Sequence, residues 1–208
     1  DARWTKDNEL RVEPQLYKSI PYYIESDWSA ASYWYQMAAL SPKANITLPG
    51  LKENSPQGDS KVAELFSLLG VETSYQEQGV RLTKGTIKAE RMEYDFVNQP
   101  DLAQTFVVTC ALMGIPFRFT GLQSLKIKET DRIAALVKEM RKLGFVIKDS
   151  ENSILSWDGE RCTREEGAID TYEDHRMAMA FAPACLKFTD IFINNPQVVS
   201  KSYPRYWE

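Results

Sequence analysis

Three helix-length stretches of this chain are apolar on nearly every face, and they recur at a period of about 73 residues. Each follows a short polar or extended lead and an Asp. Asp27 precedes Trp28 to Leu40, Asp101 precedes Leu102 to Met113, and Asp174 precedes His175 to Leu186. A helix that is apolar all round has no face to give to water, so these are predicted to be buried helices, each N-capped by its Asp. The other elements then lie outside them.

Those other elements also repeat. A β-rich run follows each buried helix, at Ala44 to Leu48, Pro116 to Thr120 and Asp190 to Asn194. In the first two units an amphipathic helix comes next. Val62, Leu65, Phe66 and Leu69 form one stripe ending at Gly70, and Ile133, Leu136, Val137, Met140 and Leu143 form another ending at Gly144, each Gly being placed as a C-cap. Strands close the units, Val71 to Thr73 with Val80 to Leu82, and Phe145 to Lys148 with Ile154 to Trp157. In the third unit the second helix is expected to start near Tyr203 and to be cut off at Glu208. The predicted class is α/β with mixed sheets of α+β character, built from three β-α-β-α-β-β repeats with helices inside and sheets outside. Residues before Pro21 lack a unit of their own, and the abrupt start is that expected of a fragment.

Composition removes several function classes. A hydrophobic share of 43% is enough for a packed core. Net charge is −4 with scattered basic residues, which lacks the electrostatic footprint of a nucleic-acid binder. No apolar run approaches the ~20 residues needed to span a bilayer, and Asp1 to Glu9 is too polar for a signal segment. Cys110, Cys162 and Cys185 are odd in number and have no CxxC spacing, which fits a reducing, cytoplasmic compartment.

Polar residues gather at the heads of the buried helices, where unpaired N–H groups and the positive dipole end favour anions. The sharpest head is Tyr172-Glu173-Asp174-His175-Arg176, which holds the only histidine of the chain. An Arg in a first helical turn opposes the dipole by a few tenths of a kcal/mol, which suggests a compensating anion nearby. Read alone, Asp174 is equally a plain cap and Arg176 a solvated or salt-bridged residue. A second cluster, Lys128-Glu129-Thr130-Asp131-Arg132, tips the balance. Its bland reading is a charged turn capped at Thr130, yet Arg132 again sits in a first turn, where with Lys128 it is placed to clamp a phosphate or carboxylate. Asp101 is either a cap or a partly desolvated proton-transfer group. Lys201 reads as a lone surface lysine, and Asp59 and Asp27 as structural caps.

Lys128-Glu129-Thr130-Asp131-Arg132, Asp174-His175-Arg176-Met177-Ala178-Met179, Asp27-Trp28-Ser29-Ala30-Ala31-Ser32-Tyr33 and Lys201-Ser202-Tyr203-Pro204 together resemble the 3-phosphoshikimate 1-carboxyvinyltransferase (EPSP synthase) family, in its order and at about its spacing. The resemblance implies an inside-out α/β barrel lobe, residues 21–208 being the C-terminal lobe with a truncated last helix and residues 1–20 a remnant of the N-terminal lobe and crossover. It implies transfer of the enolpyruvyl group of phosphoenolpyruvate to the 5-hydroxyl of shikimate 3-phosphate with release of phosphate. This is a step of aromatic amino acid biosynthesis and the target of glyphosate. Such chemistry needs a base, an acid and cations for a dense anion. By resemblance, Asp101 is the proton acceptor and Glu129 the second carboxylate near the reacting carbon. Arg132, Arg176 and Lys201 hold phosphoenolpyruvate, His175 lines that pocket, and Lys128 contacts shikimate 3-phosphate. Ser124 stands where many members carry an Asn that contacts the shikimate ring. No metal or organic cofactor is implied, and the full-length enzyme is implied to be a monomer. The family's N-terminal catalytic Lys, Ser-Ser-Gln phosphate cradle and further Arg residues belong to the missing lobe, so the chain alone is expected to be inactive.

Two rivals remain. A lobe of the sister transferase acting on UDP-N-acetylglucosamine shares the fold and the donor, and the Lys-Glu-Thr-Asp-Arg run argues against it. A non-catalytic anion-binding module gains nothing from carboxylates beside bound anions, so Asp101 and Glu129 argue against that.

Overall fold

The structure is a computed structural model that describes residues 2–208; Asp1, the first residue of the predicted N-terminal segment, lies outside the described residues. A hairpin of β1 (Ala2–Lys6) and β2 (Glu9–Val12) opens the chain, with every residue exposed. The first repeat follows as α1 (Trp28–Leu40), β3 (Asn45–Pro49), α2 (Val62–Leu68), β4 (Val71–Gln76) and β5 (Gly79–Lys84). The second comprises β6 (Met92–Asp95), α3 (Ala103–Met113), β7 (Phe117–Thr120), α4 (Arg132–Lys142), β8 (Lys148–Ser150) and β9 (Ile154–Trp157). Of the third, only α5 (His175–Phe181) is a regular element.

The helices predicted to be buried lie at the centre. α1 packs on α3 and α3 on α5, and their side chains supply much of one continuous core. Two sheets flank them, an antiparallel one in the order β3-β5-β4 and a mixed one in the order β6-β7-β9-β8, where β6 runs parallel to β7. This is the inside-out α/β arrangement. The parallel crossover that wraps each central helix is complete only in the second repeat, as β6-α3-β7. In the first it is reduced to a Ser26 N–H donating to the Gly50 carbonyl at 3.0 Å, and in the third to a single parallel bridge, Ile169 with Ile193. The outer helices end as predicted. Gly70 and Gly144 take φ of +79° and +87°, conformations that only glycine adopts cheaply, and there they turn the chain from helix to strand.

Several expectations need correction. α5 stops at Phe181, with a 3₁₀ turn at Ala182–Leu186, because Pro183 has no N–H and its ring crowds the preceding turn. Asp190 to Asn194 is not a strand beyond its one bridge. Phe145 to Lys148 is strand only from Lys148, since Phe145 bridges Arg161 and the Val146 N–H bonds the Glu160 carbonyl instead. No helix starts at Tyr203; residues 204–207 form turns.

Candidate functional site

The heads of the central helices share a sequence plan but not a structure. Asp27 caps α1, accepting from the N–H groups of Ser29 and Ala30, and Asp174 caps α5 by accepting from the Arg176 N–H. Asp101 caps nothing. It sits inside a 3₁₀ turn, Pro100–Leu102, that precedes α3, and its carboxylate faces cations instead. The predicted cap at Thr130 is also displaced by one residue: Asp131 accepts from the Ala134 N–H and starts α4.

Arg132 is the hub. Its side chain is only 1% exposed, although it is the first residue of α4. Nε donates to Asp174 Oδ2 at 2.6 Å and Nη2 to Glu129 Oε2 at 2.7 Å, while Nη1 donates to Asp101 Oδ1 at 3.2 Å. Asp174, itself 0% exposed, is thus cap and counter-ion at once, which compensates for burying both charges. Arg176 Nη2 donates to Asp101 Oδ2 at 2.8 Å, and Lys128 Nζ lies 3.5 Å from Asp101 Oδ1. Lys128, Arg132 and Arg176 therefore interlock with Asp101, Glu129 and Asp174, three cations against three carboxylates.

The environment sets the protonation of these groups. Burial pushes the Asp101 carboxyl up, but Arg176, Lys128 and Arg132 together outweigh it and hold it below its ordinary value. Glu129 is likewise lowered, with burial opposed by its own backbone N–H and by Arg132. His175 is half-buried beside Glu129, and burial together with Arg176 lowers its pKa below the usual imidazole value. Tyr33 is buried near Arg176, and burial pushes its hydroxyl up to about 12.

The cluster therefore brings together Asp101, Lys128, Glu129, Arg132 and Arg176, with His175 at its edge. Ser124, half-buried in the 3₁₀ turn Gln123–Ile127, and Lys201, exposed at the end of the turn Pro196–Lys201, make none of its hydrogen bonds. Arg132 is wholly engaged by carboxylates, so the cations open to an incoming anion are Arg176 and Lys128. Asp59 is not the cap expected of it: it lies inside the 3₁₀ turn Gly58–Lys61 that leads into α2, and its side chain bonds no helix N–H. It takes a short hydrogen bond from Ser29 Oγ, and burial, reinforced by nearby Asp101, raises its carboxyl.

Two features had no prediction. Tyr172 and Glu173 take φ of +54° and +58°, left-handed conformations that cost non-glycine residues on the order of 1–3 kcal/mol each. Glu139 is fully buried on α4. A signal for it existed, because Arg132 and Glu139 are seven residues apart and both interrupt the apolar stripe of that helix. An apolar cavity lined by Met37, Cys185, Ile191, Phe192 and Trp207 among others shares no residue with the cluster.

The profile of one family, EPSP synthase (3-phosphoshikimate 1-carboxyvinyltransferase), matches residues 3–208. The chain belongs to the EPSP synthase family. A 3-phosphoshikimate 1-carboxyvinyltransferase of Bacteroides fragilis is 62% identical over 208 residues, which cover all of this chain and 51% of that protein. One from Methanosphaerula palustris is 33% identical over 94% of this chain and 45% of its own length. The chain thus spans about half the length of the curated relatives it matches. Among solved structures, EPSP synthase from Acinetobacter baumannii superposes with a TM-score of 0.68 at 22% identity, over 88% of this chain and 44% of that one. This likeness bears on the fold alone. Among the described residues no helix is long and apolar enough to cross a membrane, and Cys110, Cys162 and Cys185 are free.

Proposed function

We propose that this chain supplies half of an enolpyruvyl transfer site, one that moves the enolpyruvyl group of phosphoenolpyruvate to the 5-hydroxyl of shikimate 3-phosphate and releases phosphate, in the cytoplasm. The observation that carries this reading is the ring of Arg132, Arg176 and Lys128 around Asp101 at the heads of the central helices. Asp101 takes the hydroxyl proton, and Glu129 serves the vinyl carbon. Arg176 and Lys128 bind anionic oxygens, Arg132 holds the carboxylates in place, and His175 lines the pocket. Lys201 and Ser124 reach substrate only from outside the cluster.

The geometry suggests how Asp101 gains basicity. In the free chain Arg176 and Lys128 hold its carboxyl below the ordinary value. An arriving phosphate or carboxylate competes for those cations, and as they turn toward it Asp101 loses their stabilisation and becomes a stronger base.

Residues 1–20 are proposed to belong to a second lobe, with residues 21–208 forming the lobe described here. The hairpin of β1 and β2 is exposed throughout, and a lone two-stranded hairpin is marginal in water. The next stretch leaves Leu16 and Tyr17 95% and 90% exposed, apolar surface that a packed partner lobe would cover. The opposing wall of the site belongs to that lobe, and the isolated chain is expected to bind phosphoenolpyruvate without turning it over.

Calorimetric titration with phosphoenolpyruvate tests this directly. Binding that is lost in Arg176→Ala, with no phosphate release by the 208-residue chain, is the expected result. Phosphate release at an ordinary turnover rate by this chain alone would sink the half-site reading. In the complete enzyme, competition between shikimate 3-phosphate and UDP-N-acetylglucosamine separates the acceptors, and unchanged turnover in Asp101→Ala would favour a binding module.

A further inference from the structure

We propose that Glu139 and Tyr172 are positioning residues: they brace the left-handed turn Tyr172–Glu173 against α4, and that turn sets where Asp174, His175 and Arg176 stand. The inference rests on reading the Arg132 cluster as the anion site.

Helix α4 grips the strand-like lead of α5 at two points. Arg132 and Glu139 are seven residues apart, two helical turns, so both point from the same face about 10 Å apart along the axis. At the first point Arg132 holds Asp174. At the second, one Glu139 oxygen accepts a short hydrogen bond from the Tyr172 hydroxyl. The other accepts from the Asp170 N–H at 3.0 Å and pairs with Lys142 Nζ at 2.8 Å. Lys142 continues the brace, reaching Asp170 Oδ2 at 2.9 Å and the Ala168 carbonyl at 3.0 Å. Asn194 Nδ2 secures the other Asp170 oxygen at 2.7 Å.

From Asp170 to Asp174 the chain runs through Thr171, Tyr172 and Glu173, of which Tyr172 and Glu173 are left-handed, and the Asp174 N–H closes the turn onto the Thr171 carbonyl at 2.8 Å. Neither residue prefers that conformation, so the turn persists because this backbone hydrogen bond and its fixed ends hold it. Core packing alone asks for an aliphatic residue at position 139, and a buried carboxylate is costly there unless it is fully bonded. Glu139 is fully bonded: Asp170 and Tyr172 lie on the segment that carries the turn, and Lys142, on α4, reaches Asp170 in its turn. Loosening the second grip lets the turn relax, and the site residues just beyond it shift together.

His175 can report on this without any ligand, because it is the only histidine and its ring resonances need no assignment among others. The charged groups facing it are Asp174 and Arg176 on its own element, and Glu129 and Arg132 from the start of α4 and the loop before it. The experiment follows His175 by NMR through a pH titration in the 208-residue chain, beside calorimetric binding of phosphoenolpyruvate and thermal melting. Tyr172→Phe removes only the hydroxyl. It is expected to displace the His175 midpoint and to weaken phosphoenolpyruvate binding by about threefold to tenfold, with a cooperative melt retained. Glu139→Gln is expected to do the same; if it does not fold, Tyr172→Phe carries the test. Adding Glu173→Gly to Tyr172→Phe supplies a residue that accepts the left-handed turn without penalty, and should return the His175 midpoint and the affinity toward wild type. A lowered melting temperature with an unmoved His175 midpoint would overturn the proposal, as would a glycine that rescues nothing. Should the wild-type chain fail to bind phosphoenolpyruvate, the functional reading fails while the His175 titration still decides whether the brace positions the head.

Discussion

Asp27 at the head of α1 and Asp174 at the head of α5 both accept backbone N–H groups at a helix start, yet Asp27 is exposed and Asp174 is fully buried against Arg132. Asp101, between them in the repeat, has given up capping and pairs with three cations. The same residue at the same place in a repeat therefore does three jobs. What decides the job is the neighbouring amphipathic helix. α4 begins with Arg132 and aims it inward between two central heads, whereas the turn leading into α2 presents Asp59, an acid, to the head of α1.

The largest way to break this comparison is to remove the buried cap. Asp174→Ala is expected to cost about 3 kcal/mol in urea unfolding, the low end of the range for unpairing a buried ion, because Glu129 and Asp101 still face the guanidinium. A loss no greater than that of an exposed cap would mean that Asp174 and Arg132 are not coupled. A double-mutant cycle sharpens the same point. Arg132→Met combined with Asp174→Asn should be less destabilised than the sum of the two single changes by roughly 0.5–3 kcal/mol, since each single change leaves a buried charge without this partner and the double removes both charges. Strict additivity would remove the pair from the account of the site.

The central helices, their Asp27 and Asp174 caps and the glycine stops at Gly70 and Gly144 were legible because they depend on local pattern: apolar residues on all faces, a capping side chain, a backbone that needs positive φ. Lys128 to Arg132 and Asp174 to Arg176 were legible as a charged site through the anomaly of an Arg in a first turn. What each Arg touches was not legible. The bond from Arg132 to Asp174 spans 42 residues and that from Arg176 to Asp101 spans 75, and no local pattern reports such pairs. Pro183 was a readable stop for α5 that the apolar run concealed, and the turn at Tyr172–Glu173 carries neither the Gly nor the Asn that usually marks a left-handed backbone.

At the head of α1, Asp27→Ala is expected to cost about 1 kcal/mol, the ordinary value of an exposed cap, and to leave phosphoenolpyruvate binding unchanged. An effect on binding would make the exposed cap itself part of the site and erase the contrast between the heads.

The smallest effects separate the two regions by sign. Asp101 is held below its ordinary carboxyl value of 3.8, so its contribution to stability is present above that value and is lost as pH falls through the lower folded one. His175 is held below 6.5, so the unfolded chain takes the proton first and stability also declines as pH drops from 6.5 toward the folded value. Asp59 runs the other way. Burial raises its carboxyl above 3.8, so its contribution is full below that value and fades as pH rises through the folded one. Urea midpoints measured across acid pH should therefore show His175→Gln flattening the decline just below 6.5 and Asp101→Asn flattening the one below 3.8. Asp59→Asn should instead raise stability at neutral pH, by relieving a carboxylate that is ionised in a half-buried place. If Asp59→Asn lowers it, the hydrogen bond from Ser29 outweighs the cost of burial, and the head of α1 is held together by charge as firmly as the head of α5.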